Sequence, residues 1–188
     1  MKKAYITGAT GAIGMALVGE LLKNRISTTV FLRKDSGRND RVKDSFSGEL
    51  ARGLLRIEYV SLEELSGYAL SRNTQDMKTY ASQDLLTKAA GGADTAVFYH
   101  LGWSGTFGEQ RNDADMQQKN VEYTLDAVRL AKRLGCVHFI GVGSQAEYGR
   151  FDGRLTPATR TLPENEYGRA KLAAGIRSAE LCLSLIHI

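Results

Sequence analysis

The chain has 188 residues, is 43% hydrophobic, mixes both charge signs and holds 2 prolines, which suits one globular domain with a real core and excludes a disordered chain. Its formal net charge of +4 suits a small anionic partner, but the 25 Lys and Arg are scattered without an aromatic-studded basic stripe, which argues against nucleic acid. No apolar run reaches the roughly 18 residues of a membrane span. Lys2-Lys3 lead into a strand-like run rather than a signal-peptide core, and Cys136 and Cys182 form neither a CxxC nor a metal spacing, so a cytoplasmic protein without a metal or membrane partner is expected.

In chain order, Ala4 to Thr7 reads as a short buried strand and Ala12 to Asn24 as a helix with Ile13, Leu17, Leu21 and Leu22 on its apolar side. Thr28 to Leu32 is a second strand, which completes a βαβ unit. Further strands are expected at Leu55 to Val60, Thr95 to Leu101 and Val137 to Val142, with helices near Ser82 to Ala90 and Met116 to Leu134 and a last helix from about Glu166. This alternation predicts an α/β fold, a parallel sheet of Rossmann type, doubly wound with helices on both faces. The polar segment Ser61 to Ala81 has weak periodicity and reads as an insertion or a short extra helix.

At the first strand-to-helix junction stands Thr7-Gly8-Ala9-Thr10-Gly11-Ala12-Ile13-Gly14, with glycine at every third position. The first turn of a helix leaves unpaired N–H groups and a partial positive charge, and a pyrophosphate satisfies both. Gly8 can take the tight turn, Gly11 lets backbone and phosphate meet, and Gly14 lets the helix sit close to the strand.

At the end of the second strand, a carboxylate would accept hydrogen bonds from an adenosine ribose and repel a 2′-phosphate. Here Arg33 and Lys34 stand, with Asp35 one step on, so NADP is favoured over NAD by charge and by the fork geometry of arginine.

TGATGAIG resembles the TGxxGxxG of the short-chain dehydrogenase/reductase superfamily, particularly its extended branch of NAD(P)-dependent epimerases and dehydratases. The likeness continues through Asp94 to Gly102 (DTAVFYHLG), KNVEYTLDAVRLAKRLGCVHFIGVGS, Gly143 to Gly149 (GSQAEYG, similar to SSxxxYG) and Tyr167 to Lys171 (YGRAK, matching YxxxK). The resemblance implies an NAD(P) cofactor, a nucleotide-sugar substrate and, for the full-length protein, a homodimer as one expected assembly. It places the catalytic Ser, Tyr and Lys on Ser144, Tyr167 and Lys171. It also implies cofactor contacts at Gly8, Thr10, Gly11, Ala12, Ile13, Gly14, Arg33, Lys34, His100, Leu101, Gly102, Asn120, Tyr167 and Lys171, with Asn120 more structural than chemical.

The residues support that chemistry on their own terms. Tyr167 and Lys171 are four apart on an expected helix and share one face. An ammonium about 4 to 5 Å from a phenol, at an effective dielectric near 20, supplies roughly the 4 kcal/mol of phenolate preference that general-base work near neutrality needs. Ser144 at the end of the fifth strand would hydrogen-bond the substrate oxygen that becomes a carbonyl as hydride leaves. His100 reads as a strand-end residue rather than a base, and Glu147 as a second acid or a loop charge. Trp103, Ser104 and Thr106 are expected in a loop facing nicotinamide and substrate.

The pattern departs from the family at Glu166, where Pro is common, at Gly143, where Ser is common, and at Ser61-Leu62, which replace an acidic-apolar pair. A sixth strand and a substrate-binding region should follow Lys171 in an extended member. The expected native limit is about Cys182, because Leu183 to Ile188 are what a transposon end used for fragmenting DNA encodes; the alternative is a genuine helix end with Leu181, Leu183 and Ile186 as core. The expected activity is epimerisation or dehydration of a nucleotide sugar by hydride transfer with Tyr167 as acid/base. The alternatives are a nucleotide-sugar ketoreductase and a catalytically silent NAD(P)-sensing protein.

Overall fold

The computed structural model of the chain describes residues 1–71, 95–156 and 158–186. They form two compact units, Met1–Gly102 with Arg129–Ile140 and Trp103–Val128 with Gly141–Ile188.

The first unit is built on strands β1 (Lys3–Thr7), β2 (Ser27–Leu32), β3 (Leu55–Tyr59), β4 (Ala96–His100) and β5 (Cys136–Gly141), in the sheet order β3-β2-β1-β4-β5. The ladders β1–β2, β1–β4 and β2–β3 are parallel. Each expected strand is present with its ends shifted by at most one residue, as is usual where hydrogen bonds rather than side chains decide the boundary. The chain is an α/β fold of Rossmann type. Its strand order reverses beside β1, so the carboxyl ends of β1 and β4 border the crevice in which such sheets take ligands.

Alternation along the strands separates the two faces. Ala4, Ile6, Val30, Leu32 and Leu55 pack with Val18, Leu21 and Leu22 of α1 (Ala12–Lys23) and Val42 of α2 (Asn39–Ser45), all buried. Of the expected apolar stripe of α1, Leu21 and Leu22 are buried and Leu17 packs against the core, and only Ile13 is corrected. Gly14, Val18, Leu21 and Leu22 face the sheet, while Ile13 is 66% exposed, because a helix at 3.6 residues per turn buries positions 14, 18 and 21 together. The other face carries rings in offset stacks: Tyr5 on Phe98 at 6.4 Å between centroids, Phe98 on Phe139 at 5.7 Å, and His100 on Phe139 at 6.0 Å.

The helices α2 and α3 (Ser47–Ala51) between β2 and β3 were not foreseen. Each is too short and polar to show a period, and Phe46, at φ −129°, separates them. The segment from Ser61 does contain an extra helix, α4 (Leu65–Ser71), anchored by buried Leu65 and Ala69. Residues 72–81 and the helix expected over 82–90 lie outside the described residues.

The longest helices among the described residues are α5 (Ala114–Arg133) and α6 (Glu166–Ile186). The latter runs four residues into the stretch expected to be foreign. In the second unit, Val121 of α5 packs on Ala170 and Ala174 of α6, and Arg177 pairs with Glu122 at 2.9 Å. No helix among the described residues is long and apolar enough to cross a membrane.

Candidate active site

In the first unit the glycine-rich turn joins β1 to α1. Gly8 has φ +74°, and a Cβ there would lie 2.6 Å from the Leu101 carbonyl carbon and 2.7 Å from Gly102 N. The turn therefore presses on the segment after β4, which Thr7 ties down. Thr7 O accepts the Leu101 N–H at 3.2 Å, its hydroxyl accepts the Gly102 N–H at 3.3 Å, and it shares a hydrogen bond of 2.9 Å with His100 Nδ1. The buried imidazole of His100 is thus bound to the strand end.

Gly14 is equally constrained, since its Cβ would meet Gly8 O at 2.3 Å. Gly11 is different: a Cβ there would touch only Gly8 O, at an ordinary 3.5 Å. Among the described residues, no other atom lies within 4 Å of that position. Gly11 supplies no side-chain cap to α1, and the first turn, which begins Ala12-Ile13, carries no acidic residue. Backbone N–H groups and the positive helix end therefore remain available, and the turn could hold an anionic group such as a pyrophosphate. The exposed Ile13 offers apolar surface beside it.

Beyond β2, Arg33 and Lys34 are exposed, and the buried Asn39 amide donates to both of their carbonyls, at 2.9 and 3.1 Å. The loop backbone is thus set while both cationic side chains face solvent.

The second unit gathers Ser144, Tyr167 and Lys171. Helix α6 starts where Asn165 Oδ1 accepts the Gly168 N–H at 2.8 Å, an N-terminal cap outside the sequence expectations. Glu166, in the place of the usual Pro, lies in the first turn, where a carboxylate suits the helix dipole, and Arg169 beside it holds its carboxyl below the usual range. Tyr167 and Lys171 follow one turn apart.

Ser144 is the N-cap of a 3₁₀ turn over Gln145–Glu147. Its Oγ accepts the Ala146 N–H at 3.2 Å, which leaves its own proton to donate, and the Glu147 carboxylate accepts the Ser144 N–H at 2.6 Å. The absence of a side chain at Gly143 accommodates that carboxylate, because a Cβ would lie 3.0 Å from Glu147 Oε1. Glu147, expected as a second acid or a loop charge, forms a reciprocal cap with Ser144, and its charge is felt at Lys171.

Lys171 is 9% exposed, and its Nζ donates to Val142 O at 3.0 Å. The ammonium stands 3.7 Å from the Trp103 ring centroid and 6.0 Å from that of Tyr167. Burial pushes it down to about 8, with the Glu147 carboxylate acting in the opposite direction. Tyr167 meets Trp103 edge to face at 6.0 Å and carries the Arg111 guanidinium 4.4 Å from its ring centroid.

Gln117 and Asn120, one turn apart on α5, hold the segment that delivers these groups. Asn120 exchanges hydrogen bonds with both backbone groups of Ser104, each at 2.9 Å. Gln117 accepts the Trp103 Nε1–H and donates to the carbonyls of Gly105 and Gln110, all at 2.9 Å. Of these, Trp103 is expected only in the loop after β4, and Arg111 and Gln117 are not among the expected site residues. The spacing of Gln117 from Asn120 was the available signal, since residues three apart share a helix face. Arg111, in a 3₁₀ turn over Gly108–Asn112, gave none.

The model of the NAD-dependent epimerase/dehydratase family matches residues 4–178. In sequence, no curated protein matches the chain. Among solved structures, the chain is similar to UDP-glucuronic acid 4-epimerase from Bacillus cereus in complex with NAD, with a TM-score of 0.67 at 19% identity over 99% of this chain and 54% of that one. It is also similar to the UDP-Glc/GlcNAc 4-epimerase from Campylobacter jejuni, with a TM-score of 0.69 at 20% identity over 97% of this chain and 50% of that one. A third is the Bordetella bronchiseptica enzyme WbmG in complex with NAD, with a TM-score of 0.68 at 14% identity over 95% and 49% of the two chains. The chain thus spans about half the length of these structures. With its parallel sheet, its glycine turn at the strand-order reversal and a family match over nearly the whole sequence, the chain belongs to the NAD-dependent epimerase/dehydratase family.

Proposed function

We propose that this chain carries the dinucleotide-binding and acid/base portion of an epimerase or dehydratase acting on a nucleotide-activated sugar. The observation that carries the reading is the buried Lys171 ammonium one helical turn from Tyr167, in the unit that also presents the Ser144 hydroxyl. Tyr167 takes the proton from a sugar hydroxyl and returns it. Lys171 stabilises the phenolate by charge, and Ser144 donates its proton to the same sugar oxygen as negative charge gathers there. The chemistry supplied by the bound dinucleotide is reversible uptake of hydride. The turn from Gly8 to Gly14 would hold its pyrophosphate, with His100, Leu101 and Gly102 forming the neighbouring wall.

Arg33 and Lys34 support a preference for NADP over NAD, since both cations stand in solvent beyond β2. NADPH and NADH titrated by fluorescence at fixed salt test this. A preference lost in Arg33→Ala supports it, and equal affinities in the unsubstituted protein remove it. A charge-assisted contact to phosphate is worth about 1.5 to 3 kcal/mol.

The nucleotide sugar as substrate is supported by the UDP-sugar epimerases among the similar structures. Because the chain spans about half of their length, recognition of the sugar is proposed for the full-length protein, and the chain alone is expected to be inactive. In the full-length protein supplied with UDP-glucose or UDP-glucuronic acid, Tyr167→Phe should abolish turnover and leave dinucleotide affinity nearly unchanged. Turnover that survives Tyr167→Phe would overturn the assignment and favour a dinucleotide-sensing protein.

A further inference from the structure

Trp103 touches both members of the Tyr167–Lys171 pair: its ring face lies 3.7 Å from Lys171 Nζ, and it meets the Tyr167 ring edge to face. We propose that Trp103 is a positioning residue for Lys171, its indole face holding the buried ammonium beside Tyr167. The inference rests on the reading of Tyr167 and Lys171 as the acid/base pair.

An ammonium has three donors, and among the described residues Lys171 makes one hydrogen bond, to Val142 O. No carboxylate is in ion-pair contact with it among the described residues. Glu147, on the 3₁₀ turn, acts through space, Tyr167 lies on the same helix, and the Arg111 cation is on the Tyr167 ring. In such a pocket the charge is costly, and the negative face of an indole is what compensates it. The ring is also fixed in orientation. Its Nε1–H is bound to Gln117, which is itself buried and bonded to two backbone carbonyls. A leucine would fill much of the same volume and supply neither the ring face nor the Nε1–H.

Trp103 is the chain's one tryptophan, so global replacement by fluorinated tryptophans changes the ring's electrostatics at this site alone. In the full chain, the reactivity of Lys171 toward acetic anhydride is followed against pH, with the residue located by mass spectrometry. The midpoint should start near 8 and fall stepwise from tryptophan through mono-, di- and trifluorotryptophan. A total fall of about half a pH unit is expected. Trp103→Phe, which keeps a weaker ring face, should lie between the parent and Trp103→Leu. If the Leu variant does not fold, the fluorinated series still decides, because it alters single atoms. A midpoint that ignores fluorination overturns the proposal. Turnover that survives Tyr167→Phe is the separate result that overturns the acid/base reading, and it leaves the labelling outcome standing.

Discussion

Gly168 is pressed against Ala146: a Cβ on Gly168 would sit 2.3 Å from the Ala146 carbonyl oxygen. That contact sets the first turn of α6, with Tyr167, directly on the turn that begins at Ser144. Glycine in a helix ordinarily costs up to about 1 kcal/mol relative to alanine. Gly168→Ala should reverse that sign, destabilising the protein by about 1 to 3 kcal/mol and lowering kcat as the turn is pushed away. Gly175→Ala in the same helix, where a Cβ meets nothing within 4 Å, should instead stabilise by up to about 1 kcal/mol. Urea denaturation of the two variants checks the pair of signs, and equal effects would show that the Ala146 contact yields.

The glycine turn separates in the same way into a part the protein needs and a part a ligand needs. Gly14→Ala, with 2.3 Å to Gly8 O, should destabilise by about 1 to 3 kcal/mol. Gly11→Ala, with nothing nearer than 3.5 Å, should leave stability within about 0.5 kcal/mol of the parent while dinucleotide affinity falls at least about tenfold. Denaturation together with a fluorescence titration of the dinucleotide reads both effects. Unchanged affinity in Gly11→Ala would place the pyrophosphate elsewhere.

Lys171 gives the protein a stability that depends on pH in a definite direction. Burial lowers its folded value to about 8 from the ordinary 10.5, so between those limits the unfolded chain holds the proton more firmly than the folded one. Unfolding then takes up a proton, and stability rises as pH increases through this window, by up to about 3 kcal/mol. Below pH 8 both states carry the charge, and the slope disappears. Denaturation midpoints across the window should therefore rise less in Lys171→Met than in the parent. Parallel curves would show that the ammonium is better solvated than its burial implies.

Glu147 combines a cap with a charge, and two substitutions separate them. Glu147→Gln keeps an oxygen that can accept the Ser144 N–H but removes the carboxylate that raises Lys171, so the Lys171 labelling midpoint should fall with little loss of stability. Glu147→Ala also removes the cap and should cost about 1 kcal/mol more. A Gln variant with an unmoved midpoint would confine Glu147 to capping.

Sequence alone determined the alternation of strands and helices, the turn from Gly8 to Gly14 and the four-residue spacing of Tyr167 and Lys171. Each is a local pattern, carried by periodicity or by the conformational demands of glycine. The alternation also made a parallel sheet the expectation. Neither short helix before β3 could be read, because segments of seven and five residues show no period and depend on Val42 and Phe46 meeting the core. Only the tertiary structure decided what surrounds the pair. Trp103 and Arg111 lie more than fifty residues from Tyr167 in the chain, and they reach it because Gln117 and Asn120 pin the intervening segment to α5. Such contacts follow from packing between distant segments, which leaves no period in the sequence. Burial of the Lys171 ammonium has the same origin: the hydrogen bond to Val142 and the indole beneath it exist only once α6 has docked.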